Sequence, residues 1–293
     1  MSVSNNSQSV KLRYLLGKVY IVVIATILFA FMVSNVIAGV LVAPTVVILS
    51  DKSRTGRLNL ENPSNKPKEI EVFFSFGIPE SDSLGNIELT LQDSNVTDPK
   101  SALGWIRVFP RKLVLPPNGS QVVRLVAHPP KDLPDGEYWA RIIIRSQEGE
   151  TSIPASTDNT QITTQLNMVM QTAISLKYRT GELAAKIDLA NFNAQYKDGG
   201  VEVLADLINQ GNVSYLGVVT CRLLDADNRL ISSSDGNLAV YRNIRKRMNL
   251  GIPEGDFKQP YQVELKISCE GRTDIARNDI VFGNDINYTA IVD

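Results

Sequence analysis

The sequence predicts an all-β protein made of two successive β-sandwiches. Three observations carry that reading. After residue 39 no stretch shows the 3.6-residue periodicity of an amphipathic helix. Short runs of alternating apolar and polar residues recur instead, divided by Gly, Pro, Asn and Asp turns. The pattern resets at TGELA (180–184), which separates a first domain, 39–181, from a smaller second one, 182–293. The 293 residues suffice for two domains.

The first domain opens on VLVAPTVVILS (40–50). GRLNLEN (56–62) and KEIEVFFSFG (68–77) follow, both alternating and joined by the turn residues PSNKP. NIELTLQ (86–92) is a weaker strand before a polar loop. WIRVFP (105–110) and KLVLPP (112–117) are broken apart at Pro110. SQVVRLVAH (120–128) and EYWARIIIRS (137–146) are separated by DLPDG. A polar loop, 147–164, then leads to QLNMVMQTAISLKYR (165–179). In that last stretch Leu166, Met168, Met170, Thr172, Ile174, Leu176 and Tyr178 fall on one face. The usual strand has about 5–6 residues, so this one is unusually long.

The second domain reads as strands at 184–192, 200–209, 215–225, 229–234, 237–243, 246–252, 259–270 and 274–282. Cys221 and Cys269 each lie in one of these runs, VVTCRLL and ELKISCEG. In an exported chain the pair is either one disulfide or two buried thiols, and spacing alone does not choose.

Export is read from the N-terminus. Lys11, Arg13 and Lys18 precede the uncharged run VYIVVIATILFAFMV (19–33), and Val36-Ile37-Ala38 follows. That order is a secretory signal peptide covering 1–38. The alternative is an uncleaved anchor within the charge-free 19–43, long enough to span a bilayer. Either way the remainder is expected outside the cytoplasm, in the periplasm or facing it, because no second span follows.

Composition and motifs argue against several classes of function. Lys plus Arg number 30 and Asp plus Glu 31, for a net charge of −1, which is not the footprint of a nucleic-acid binder. The single histidine, His128, supports neither a histidine-based metal cluster nor a Cys-His pair. No glycine-rich phosphate loop opens a helix. Glu69 and Glu71 share one strand face, more simply a solvated one than an acid–base pair. No enzyme and no cofactor is expected.

Residues 108–146, VFPRKLVLPPNGSQVVRLVAHPPKDLPDGEYWARIIIRS, resemble the N-terminal domain of PapD-like periplasmic pilus chaperones. The likeness lies in the strand ending at Leu115 and Pro117, then Gln121 to Arg124, then the Leu-Pro turn into Glu137 and an aromatic strand. It continues through ISLKYRTG (174–181), similar to the family's I-K-L-F-Y-R-P.

The resemblance implies two Ig-like sandwiches and a chaperone. Such a protein caps pilin-like or other β-sandwich subunits by donor-strand addition and passes them to an outer-membrane usher. Carried over to this sequence, the strand 165–179 is the donor and Leu166, Met168 and Met170 are its plugs. The alternative is that these side chains complete the domain's own core. The family holds its client's terminal carboxylate with two basic residues; Val46 and Ser175 stand at those positions here. The anchor then falls to Lys177, Arg107 or Arg111. Glu137 and Arg179 match an interdomain ion pair, with plain surface charges as the alternative. The competing reading of the whole chain is a tethered or secreted structural or adhesive Ig-like protein.

Overall fold

Pro44 divides the first apolar run. It has no N–H to give to a ladder, and the chain changes sheets there. The computed structural model describes residues 39–92, 96–149, 168–269 and 280–292. The run 19–33 and Leu166 lie outside the described residues.

Eleven strands precede residue 181: β1 (Leu41–Ala43), β2 (Val46–Ser50), β3 (Thr55–Glu61), β4 (Lys68–Ser75), β5 (Pro79–Ser81), β6 (Ile87–Leu89), β7 (Ile106–Phe109), β8 (Lys112–Leu115), β9 (Ser120–Ala127), β10 (Gly136–Glu148) and β11 (Val169–Thr180). They form a four-stranded sheet ordered β1-β3-β9-β7, a five-stranded sheet ordered β2-β11-β10-β4-β8, and a separate hairpin β5-β6. The two sheets enclose a core that includes Leu49, Leu58, Ile142, Ile144, Leu176 and Tyr178.

The second half contains β12 (Leu183–Ala185), β13 (Ile187–Lys197), β14 (Gly200–Asn209), β15 (Tyr215–Leu224), β16 (Leu230–Val240), β17 (Asn243–Gly251), β18 (Gln262–Ser268), β19 (Ile280–Phe282) and β20 (Ile286–Ile291). Sheets β13-β14-β17 and β16-β15-β18-β20 pack over Val203, Tyr215, Leu223, Val240, Val263 and Ile267. The chain is all-β among the described residues, as two β-sandwiches. Asp198 and Gly199 turn β13 into β14 with φ values of 52° and 78°, the backbone of a two-residue primed turn.

Three details refine the sequence reading. The runs 229–234 and 237–243 are largely one strand, β16, because its polar middle lies along a sheet edge where side chains need no burial. The terminal strand β20 was not expected, since its pattern is mostly solvent-facing. The third concerns the cysteines, which are free and buried. Cys221 pairs with Leu265, while Cys269 follows Ser268, the partner of Val218. That register sets the two sulfurs about four residues apart along the ladder, roughly 13 Å and beyond disulfide reach. Burial pushes the Cys221 thiol up to about 12.

A third apolar cluster, Phe76, Ile78, Trp139 and Tyr241, lies between the sandwiches. Gly181, just after β11, has φ +65°, and a Cβ there would sit 1.8 Å from an Asp135 carboxylate oxygen. Only glycine fits that corner.

Candidate functional site

The first part of the site is an open strand edge. β11 pairs along its whole length with β10, from Val169 opposite Gln147 to Thr180 opposite Gly136. On its other side the parallel strand β2 covers only Ser175–Arg179. Among the described residues, Val169–Ile174 therefore present unpaired backbone on that side. Ile174, Leu176 and Tyr178 enter the core, and the same face continues outward through Thr172, Met170 and Met168. There the apolar stripe runs past the end of the domain's own core: Met168 is 55% exposed and Met170 36%. These two side chains do not complete the core.

The second part is the cleft between the domains. Glu137 is fully buried at the start of β10. Arg179 Nε donates to it at 2.8 Å, Lys177 Nζ lies 3.2 Å away, and Trp139 Nε1 donates at 2.8 Å. From the second domain Ser214 Oγ donates at 2.5 Å. The Glu137 N–H donates to the Asn212 carbonyl at 2.9 Å, so backbone and side chain both bridge the joint. Burial alone would raise the Glu137 pKa. Lys177 and Arg179, with the hydrogen bonds from Ser214 and Trp139, outweigh it and hold the carboxyl below its ordinary 4.5.

This has a consequence for pH. A carboxylate whose folded-state pKa is depressed stabilises the fold above its unfolded value, and the contribution is lost as pH falls through the folded-state value. Urea midpoints are therefore expected to stay level from neutral pH down to about 5 and to drop below about 4. Glu137→Gln should flatten its share of that drop. An unchanged slope in the variant would show that other carboxylates produce it.

The joint has further ties. Arg242 binds Asp98 across the domains at 2.5 Å. The β5-β6 hairpin reaches onto β17, where Ser81 Oγ accepts from Arg245 N at 2.6 Å and Asn86 accepts from Arg247 at 2.5 Å. Trp139 meets Tyr241 edge-on with centroids 5.0 Å apart.

Ser175 and Val46 are direct cross-strand neighbours. Ser175 also neighbours Arg141 on its other side. Arg141 Nη1 donates to Ser175 Oγ, and its Nε donates to the Gly77 carbonyl at 2.9 Å. The guanidinium lies 5.8 Å from the Tyr241 ring centroid. Arg141 is only 8% exposed and, among the described residues, forms no ion pair. Around this joint Lys100, Arg141, Lys177, Arg179 and Arg242 outnumber the carboxylates Glu137, Asp98 and Asp135.

The three expected anchors do not assemble here. Lys177 is buried and engaged by Glu137 and Ser214. Arg107 is on β7, in the opposite sheet. Arg111 sits between β7 and β8, on the sheet edge three strands, or about 14 Å, from β11. The cation beside Ser175 is Arg141, which the sequence reading passed over within EYWARIIIRS. Its one available signal was a charge inside an otherwise apolar run.

No protein-family model matches the sequence, and no curated protein matches it. Solved structures give a weak likeness. The CsuC–CsuE chaperone-tip adhesion subunit pre-assembly complex of Acinetobacter baumannii matches at 10% identity and TM-score 0.43, over 87% of this chain and 98% of that one. The CupB2 chaperone of Pseudomonas aeruginosa matches at 13% identity and TM-score 0.39, over 86% and 100%. The YadV chaperone matches at 14% identity and TM-score 0.41, over 86% and 98%. The likeness is to structures titled as chaperones or as a chaperone–subunit complex.

Proposed function

We propose that the protein is an exported chaperone that holds incomplete β-sandwich subunits by lending them the outer part of β11. The observation that carries this reading is the six-residue open edge, Val169–Ile174, beside the exposed apolar row of Met168 and Met170. An incoming strand satisfies its backbone on that edge, and the two methionines enter its open core. Thioethers adapt to irregular pockets, which suits a chaperone with several clients. Each methionine fully buried contributes about 1.5–3 kcal/mol.

The client's terminal carboxylate is held at Arg141. Its Nε and Nη1 are committed to Gly77 and Ser175, and no described acceptor is bonded to Nη2. The excess of cations around the joint favours an anion there. The charge that the family supplies from the first strand and the donor strand comes here from the strand between β11 and β4. The site of action is the periplasm, and an outer-membrane usher receives the client.

The test is capture. Met168→Asp with Met170→Asp is expected to abolish co-purification of a co-expressed subunit and leave the melting temperature unchanged, because both side chains are exposed in the free protein. Undiminished pull-down would refute the donor role. N-terminal sequencing of the exported protein separates a released form, starting near Gly39, from a tethered one.

A further inference from the structure

We propose that the outer face of the sheet β1-β3-β9-β7 docks on an anionic phospholipid bilayer. This inference does not depend on the chaperone reading.

The strand register assembles the face. Arg57 on β3 pairs with Arg124 on β9, which pairs with Phe109 on β7. In the next row Arg107 pairs with Val126. Strand alternation puts Arg57, Arg124, Phe109 and Arg107 on the same side, turned away from the core. None of the three arginines forms an ion pair among the described residues, and Arg107 bonds only to the Gly104 and Ile106 carbonyls. The acid of this face, Glu61, lies two rows from the Arg57–Arg124 pair.

Two features call for an anionic partner. Like charges directly opposite on neighbouring strands are destabilising, and Arg57 opposes Arg124. Guanidinium groups bind phosphate bidentately, so a phosphate placed between them removes the repulsion. A third feature favours a bilayer over a soluble anion. Phe109 is 76% exposed beside the arginines, and Val122 is exposed one row from the Arg57–Arg124 pair on the same face, while Leu41 lies farther off, opposite Glu61. Basic groups around an exposed aromatic and aliphatic set fit the headgroup boundary, where the cations meet phosphates and the apolar groups enter the acyl region.

The open edge of β11 belongs to the opposite sheet and stays clear of the membrane.

The experiment uses the full chain in vesicle flotation at low salt. Vesicles of phosphatidylcholine with phosphatidylglycerol are compared with phosphatidylcholine alone. The combined substitution R57Q, R107Q and R124Q is expected to cut affinity for the anionic vesicles by about 100-fold, roughly fivefold per arginine. Affinity for neutral vesicles should not change, which removes the contribution of residues 19–33 from the comparison. Unaltered anionic affinity in the variant overturns the proposal. So does equal binding of the native protein to soluble polyglutamate, which would make the partner an acidic polypeptide. In a second measurement the added emission of Phe109→Trp should shift to the blue on anionic vesicles. An unshifted emission with the protein fully bound would overturn the assignment of this face.

Discussion

Glu137→Ala is expected to destabilise the protein by about 3–5 kcal/mol, the cost of breaking a buried ion cluster from one side. The substitution leaves Lys177 and Arg179 buried without their carboxylate and strands the donors Trp139 Nε1 and Ser214 Oγ. Urea denaturation measures the loss. Because Ser214 belongs to the second domain, the loss should include coupling between domains, seen as two transitions in place of one. Ser214→Ala alone should cost far less, since the two cations keep their carboxylate. A Glu137→Ala protein that unfolds within about 1 kcal/mol of the native one would show that the cluster is well hydrated and adds little.

Arg141→Met should separate stability from function. The substitution removes a buried cation with no carboxylate partner and keeps an apolar stem against Tyr241, but it strands the buried Gly77 carbonyl, so the fold is expected to hold with a loss of about 1–3 kcal/mol. Client capture should nevertheless weaken by about 2 kcal/mol or more, thirtyfold or more in Kd, through loss of a charge-assisted bond to the client's carboxylate. A client amidated at its C-terminus supplies the control. It should bind native and variant protein equally, since neither then has an ion pair to lose. Discrimination between the two by the amidated client would place the role of Arg141 elsewhere.

The long strand was legible because a period of two runs through the described part of that stretch, where β11 spans Val169–Thr180, and the sandwiches because turn residues punctuate every run. The open edge was not, since edge exposure depends on where β2 stops, and Pro44 alone does not give its register. Arg141 escaped for a related reason. β10 is buried on both faces, from Gly136 to Ile144, so alternation along EYWARIIIRS carries no sign of which side is core. An arginine there looks like an outward charge, although it faces the other domain. Glu137 and Arg179 could be paired only through the family resemblance, as they are 42 residues apart. Ser214 and Tyr241 had no signal, because a serine in a turn and a tyrosine at a strand end gain their role from the docking of the domains. Cysteine type and spacing likewise carried no register, and the register keeps Cys221 and Cys269 apart.

The parallel pairing of β2 with β11 begins at Val46 opposite Ser175. That boundary works as a ruler. In the proposed capture, a guest strand laid along the open edge runs inward only as far as Ile174, since the next position is already taken. The inner end of the guest's edge is thus set before any side chain is read, by the residue at which the host's own second strand starts.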